Sequence, residues 1–72
     1  MRRQRTENDL QLALRYIEEG ELRSSRQREL IGRLKKFGRS TDQAEAVLKG
    51  FEGSLLQLRN HLDVMQELMK PR

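Results

Sequence analysis

The chain has 72 residues, of which 36% are charged, 35% apolar and 4% aromatic. It contains no cysteine and a single histidine, His61, which excludes disulfides and a conventional His/Cys metal site. A domain this short buries only about 60% of the surface its unfolded chain exposes, so oligomerisation is the remaining route to a sufficient core.

The net charge of +4 falls in the first half: residues 1–36 hold ten Lys/Arg against six Asp/Glu, and residues 37–72 hold five of each. That balance permits an acidic partner or nucleic acid without requiring either. No apolar run approaches the roughly 20 residues needed to span a bilayer. The basic start, Met1-Arg2-Arg3-Gln4-Arg5, is not followed by the apolar stretch of a secretory signal. Lack of cysteine suits a reducing compartment. The expectation is a cytoplasmic protein without a membrane segment.

Residues 1–5 read as a loose basic arm, and residues 6–70 as a helical hairpin turning near 38–41. The first helix is expected at about Glu7–Phe37, with Thr6 or Asn8 as its cap. Leu10, Ala13, Ile17, Gly20, Ser24, Gln27, Ile31 and Leu34 repeat at alternating spacings of three and four, the period of one helix face. The middle of this stripe is small or polar. Gly20 costs about 1 kcal/mol against Ala in a helix, so its presence wants a reason. In a folded-back hairpin, Gly20 and Ser24 lie opposite Leu58 and Leu55 and let large side chains approach. The alternative is that Gly20 breaks the helix.

The one interior break is Phe37-Gly38-Arg39-Ser40-Thr41-Asp42. Gly38 suits the left-handed conformation that closes a helix, and Lys35 and Lys36 suit the negative end of its dipole. Ser40 or Thr41 suits the next N-cap, and Ser40 with Gln43 matches a capping box. The second helix is expected at about Thr41–Met69, with Pro71 just past its end. Its seam is the clearer one: Leu48, Phe51, Leu55, Leu58, Leu62, Met65 and Met69 follow a coiled-coil heptad.

The residues flanking the two seams test the pairing. On one edge an antiparallel hairpin brings Glu21 to Arg59, Arg28 to Glu52 and Lys35 to Glu45, all of opposite sign. Each exposed pair is worth only ~0.2–1 kcal/mol, so these specify register rather than supply stability. The other edge carries Tyr16, Arg23, Leu30 and Phe37 from the first helix and Val47, Ser54, His61 and Leu68 from the second. A lone hairpin would leave much of that edge wet, and contiguous exposed apolar surface marks an interface. The fold expected is therefore all-α: a two-helix antiparallel hairpin, coiled-coil-like, that pairs through this edge into a homodimeric four-helix bundle. The candidate interface residues are Tyr16, Leu30, Phe37, Val47, His61 and Leu68.

Several stretches resemble a group of very short, uncharacterised bacterial helical-hairpin proteins. They are Gly20-Glu21, the run Arg26-Gln27-Arg28-Glu29, the turn Gly38-Arg39-Ser40-Thr41, and Leu48-Lys49-Gly50-Phe51-Glu52. The resemblance covers about Leu10 to Leu62. It implies a two-helix fold and carries no activity or functional residues with it.

Other chemistries find little support. Glu18, Glu19, Glu21 and Glu29 fall on solvent-facing positions among arginines, whereas acid–base catalysis needs carboxylates converging in a pocket. No Glu-x-x-His motif of a di-iron bundle is present, and Ser24 and Ser25 have no His or Lys placed to activate them. No enzyme, cofactor or small-molecule substrate is expected. His61 reads as a structural residue of the apolar edge, with a pH-responsive interface as the sharper alternative. Arg15, Arg26 and Arg33 share the outer face of the first helix. Diluted by Glu18, Glu19 and Glu29, they read as a solvated face, and the alternative function is an electrostatic nucleic-acid-binding bundle. Membrane-surface binding through Arg2, Arg3 and Arg5 lacks an adjoining apolar face. Leu12, Leu22, Leu56 and Val64 lie off the seam. Another helical protein is the alternative partner.

Overall fold

The structure, a computed structural model, describes the backbone of residues 2–70 and the side chains of residues 8–70. It holds two helices, α1 (Arg2–Lys36) and α2 (Asp42–Met69), folded back on each other into a rod of 55 × 15 × 14 Å. The sense is antiparallel: Glu21 of α1 meets Arg59 of α2, while Arg28, one heptad further on, meets Glu52, one heptad further back.

α1 starts earlier than the sequence suggests. Its backbone is helical from Arg2, so residues 2–5 extend the helix in place of the expected loose arm, and Thr6 and Asn8 lie within it instead of capping it. No Gly or Pro interrupts Arg2 to Leu10, and Arg, Gln and Glu are good helix formers. Met1, the side chains of Arg2, Arg3 and Arg5, and Pro71 lie outside the described residues.

Gly20 does not break α1, which runs on without interruption to Lys36. It serves as a seat: a β-carbon there would stand 2.7 Å from Cδ2 and 3.2 Å from Cγ of Leu55. The side chain received at Gly20 is thus that of Leu55, where the folded-back register suggests Leu58. A heptad seam interdigitates, so each residue packs between two opposing positions and not against one.

The turn is a Schellman motif. Gly38 has φ +68, the Gly38 N–H donates to the Lys35 carbonyl at 3.1 Å, and the Arg39 N–H donates to the Leu34 carbonyl at 2.8 Å. Thr41 is the N-cap of α2, and its carbonyl accepts the first helical bond, from Glu45 N–H, at 2.8 Å. The side-chain cap expected there is not made. Thr41 forms no capping bond, and Ser40 Oγ accepts only a long one, 3.5 Å, from Asp42 N–H. At φ −108, ψ 3, Thr41 lacks the extended backbone that aims a capping oxygen at the helix end. At the far end Lys70 is extended, at φ −67, ψ 134, as the residue before a proline prefers.

The seam buries Ala13, Ile17, Ser24 and Ile31 of α1 against Ala44, Leu55 and Met65 of α2, with Leu10, Leu34, Leu48, Phe51, Leu58 and Leu62 half-buried beside them. Gln27 sits in the same row, and its Nε2 donates to the Ala44 carbonyl at 2.9 Å. That hydrogen bond gives the polar middle of α1 a defined partner across the seam. None of the described helices is long and apolar enough to cross a membrane.

Candidate functional site

The two long edges of the rod differ as their residues dictate. On the charged edge Arg59 Nη2 lies 2.8 Å from Glu21 Oε1, and Arg28 Nη2 lies 3.8 Å from Glu52 Oε2. The third expected pair, Lys35 with Glu45, is not formed. Both groups are solvated and stand beside the turn, and an exposed pair is worth too little to hold two long side chains together.

The other edge is uncovered. Tyr16 is 48% exposed, Leu30 37%, Val47 45%, Phe37 72% and Leu68 80%, and His61 is exposed among them. All six residues read from the sequence as the interface lie along this edge, and they are not spread evenly. Toward the free ends of the helices, Tyr16, His61 and Leu68 line an open hollow of about 440 Å³ with Asp9, Leu12, Ala13, Leu58 and Met65. A second hollow of about 160 Å³ follows it, lined by Tyr16, Glu19, Gly20 and Arg23 of α1 and Phe51, Ser54, Leu55 and Leu58 of α2. Toward the turn Phe37 is the exposed residue and lines a third open hollow with Arg33, Leu34 and Arg39, while Leu30 is the least exposed of these apolar side chains.

Ala13 and Gly20 are small seam residues that line these hollows, and the space at Gly20 is taken by Leu55. Leu58 and Met65 line the first hollow, the one half-buried and the other buried. The sequence pattern marks these two only as seam residues. Leu12 lies one turn before Tyr16 and forms the outer lip of the first hollow. Arg23, on the same edge, folds back with Cζ 5.6 Å from the centroid of the Phe51 ring. Such a contact is worth about 0.5–1 kcal/mol at an exposed site.

Arg15, Arg26 and Arg33 are all exposed on the outer face of α1, with Glu18, Glu19 and Glu29 between them. Among the described residues none of the three arginines is paired with a carboxylate. No group of three His, Cys, Asp or Glu able to hold a metal ion occurs among the described residues.

By fold the chain is a two-helix antiparallel hairpin. Comparison with protein-family models, with curated proteins and with solved structures finds no match to it.

Proposed function

We infer that this protein is a non-enzymatic interaction module, a hairpin that associates with a second copy of itself into a four-helix bundle and acts as an adaptor or regulator. The observation that carries this reading is an imbalance between core and surface. The apolar side chains buried among the described residues are Ala13, Ile17, Ile31, Ala44, Leu55 and Met65, and two of these are alanines. Against them stand Tyr16, Leu30, Phe37, Val47 and Leu68 on a single edge, each more than a third exposed. Burying such a side chain fully is worth about 1.5–3 kcal/mol. A marginal two-helix core therefore has more to gain from covering this edge than from any contact inside the hairpin. A cytoplasmic setting goes with the reading, since nothing in it requires oxidation.

Light scattering over a concentration series, with helicity followed by circular dichroism, tests it. The expected result is a helical dimer. A well-folded monomer that persists at high concentration overturns the reading, and a poorly helical monomer moves the partner from a second copy to a different helical protein.

A second reading, electrostatic binding of nucleic acid, is favoured by the three arginines on the outer face of α1, which pair with no carboxylate among the described residues. It uses a different surface from the apolar edge, so the two are separable by experiment.

A further inference from the structure

The apolar edge carries open hollows toward the free ends of the helices and the exposed Phe37 toward the turn. The first hollow is lined from α1 by positions 9, 12, 13 and 16, the second by positions 16, 19, 20 and 23. Each position of the second is seven residues from its counterpart in the first. From α2, Phe51, Ser54 and Leu58 of the second hollow stand seven residues from Leu58, His61 and Met65 of the first. The hollows are thus about two helical turns apart, roughly 10 Å along the rod. Phe37, the most exposed apolar side chain that α1 gives to this edge, lies at the opposite end.

We propose that two copies pair edge to edge in antiparallel sense about a two-fold axis, so that Phe37 of each copy enters the first hollow of the other. The proposal rests on the self-association reading above and adds its geometry. A single axis, crossing the edge between Arg23 and Leu30, makes both insertions at once, which is what an isologous interface requires. Charge agrees with shape. Among the described residues Asp9 is the carboxylate at the first hollow, and Arg33 and Arg39 flank Phe37. The antiparallel arrangement sets those arginines against the partner's carboxylate, whereas a parallel one would set arginines against arginines. Area agrees as well. The two rods overlap over roughly 40 Å about that axis, and at 15 Å wide this offers roughly 600 Å² per copy, the lower end of a standard stable interface. Arg23, close to the axis, is drawn off the partner by its contact with Phe51 of its own hairpin.

The chain has no cysteine, so single-cysteine variants report the register directly. Asp9→Cys and Ser40→Cys are prepared separately, then mixed and treated with a short bismaleimide. The expected result is a covalent dimer in the mixture and none from Ser40→Cys alone, whose two copies would stand about 40 Å apart. Self-linking of Ser40→Cys overturns the antiparallel register while leaving self-association intact. Assemblies larger than a dimer overturn the closed two-fold. A monomeric mass for the unmodified chain overturns the self-association reading itself. Phe37→Ala is expected to weaken the dimer about tenfold or more with helicity retained in the associated form, and Leu22→Ala, on another face, to leave it unchanged. Equal effects of the two substitutions would sink the role given to Phe37.

Discussion

Leu55 rests on Gly20 so closely that a β-carbon at position 20 would stand 2.7 Å from its Cδ2 and 3.2 Å from its Cγ. Two effects of similar size then compete in Gly20→Ala. Replacing a mid-helix glycine gains about 1 kcal/mol of helix propensity. Crowding a packed position costs about 1–3 kcal/mol, and Leu55 is buried, with little room to withdraw. The expected net is destabilisation by about 1 kcal/mol. Leu55→Ala removes the clashing atoms, so in that background Gly20→Ala becomes stabilising by about 1 kcal/mol. Denaturant unfolding of the four members of this cycle, at one protomer concentration, checks both signs. Additive effects would mean that the two residues are not in contact.

Ser24 offers a gain in stability. It is 1% exposed and its hydroxyl has no hydrogen-bond partner. A buried unsatisfied polar group costs about 1–3 kcal/mol, and alanine is also the better helix former. Ser24→Ala should stabilise the protein by about 1 kcal/mol, a rise in melting temperature of about 4–8 °C for a chain of this size. A loss of stability instead would mean that the hydroxyl bonds the Gly20 carbonyl one turn back, as helical serines can.

The period of three and four is enough to read the seam from sequence. Leu10 through Leu34 and Leu48 through Met65 all take buried or half-buried places, while Met69, the last residue of the expected seam, is exposed at the end of α2. A helix turns its residues through a fixed angle, so only one face can meet a partner. Gly38 is legible for the same kind of reason, since few residues tolerate its backbone angles. The start of α1 is not. It depends on the balance of fraying against propensity over a few polar residues, and no cap or breaker marks it. The side-chain cap at Ser40 or Thr41 fails because the sequence supplies a capping residue but not the backbone angles that aim it. The six edge residues are visible in the sequence as a row. The hollows beside them are not, because they depend on how the side chains of both helices pack across the seam, which no single-residue property reports.

Gly38 closes α1 with φ +68, and a β-carbon added there meets no atom within 4 Å. Any penalty for Gly38→Ala therefore comes from backbone strain alone, which for the left-handed region is about 1–2 kcal/mol. The variant should lose about 1 kcal/mol of stability, partly offset by reduced freedom of the unfolded chain. Gly32 is the useful comparison: it lies within α1, a β-carbon added to it also meets no atom within 4 Å, and its φ is not positive. Gly32→Ala should raise stability by about 1 kcal/mol. Opposite signs for two identical exchanges, measured by thermal unfolding, would assign the difference to φ. Equal signs would remove the Schellman turn as the determinant of the hairpin.

The arginine face and the apolar edge make separate predictions about salt. Binding through phosphate contacts releases counterions and weakens steeply as salt rises, with a slope of about −0.9 per phosphate neutralised on duplex DNA. Association through Phe37 and the apolar edge buries mainly apolar surface, with the charges of Asp9, Arg33 and Arg39 at the rim, so the dimer mass should change little between low and physiological salt. Filter binding to duplex DNA and to RNA at rising salt is expected to show weak retention, lost at physiological ionic strength, because Glu18, Glu19 and Glu29 lie among Arg15, Arg26 and Arg33. Retention that persists at physiological salt, and whose slope falls by about one for each of Arg15→Gln and Arg26→Gln, would transfer the function to the arginine face. Arg33 is left out of that pair because it also flanks Phe37. Its loss would touch both surfaces at once and could not tell them apart.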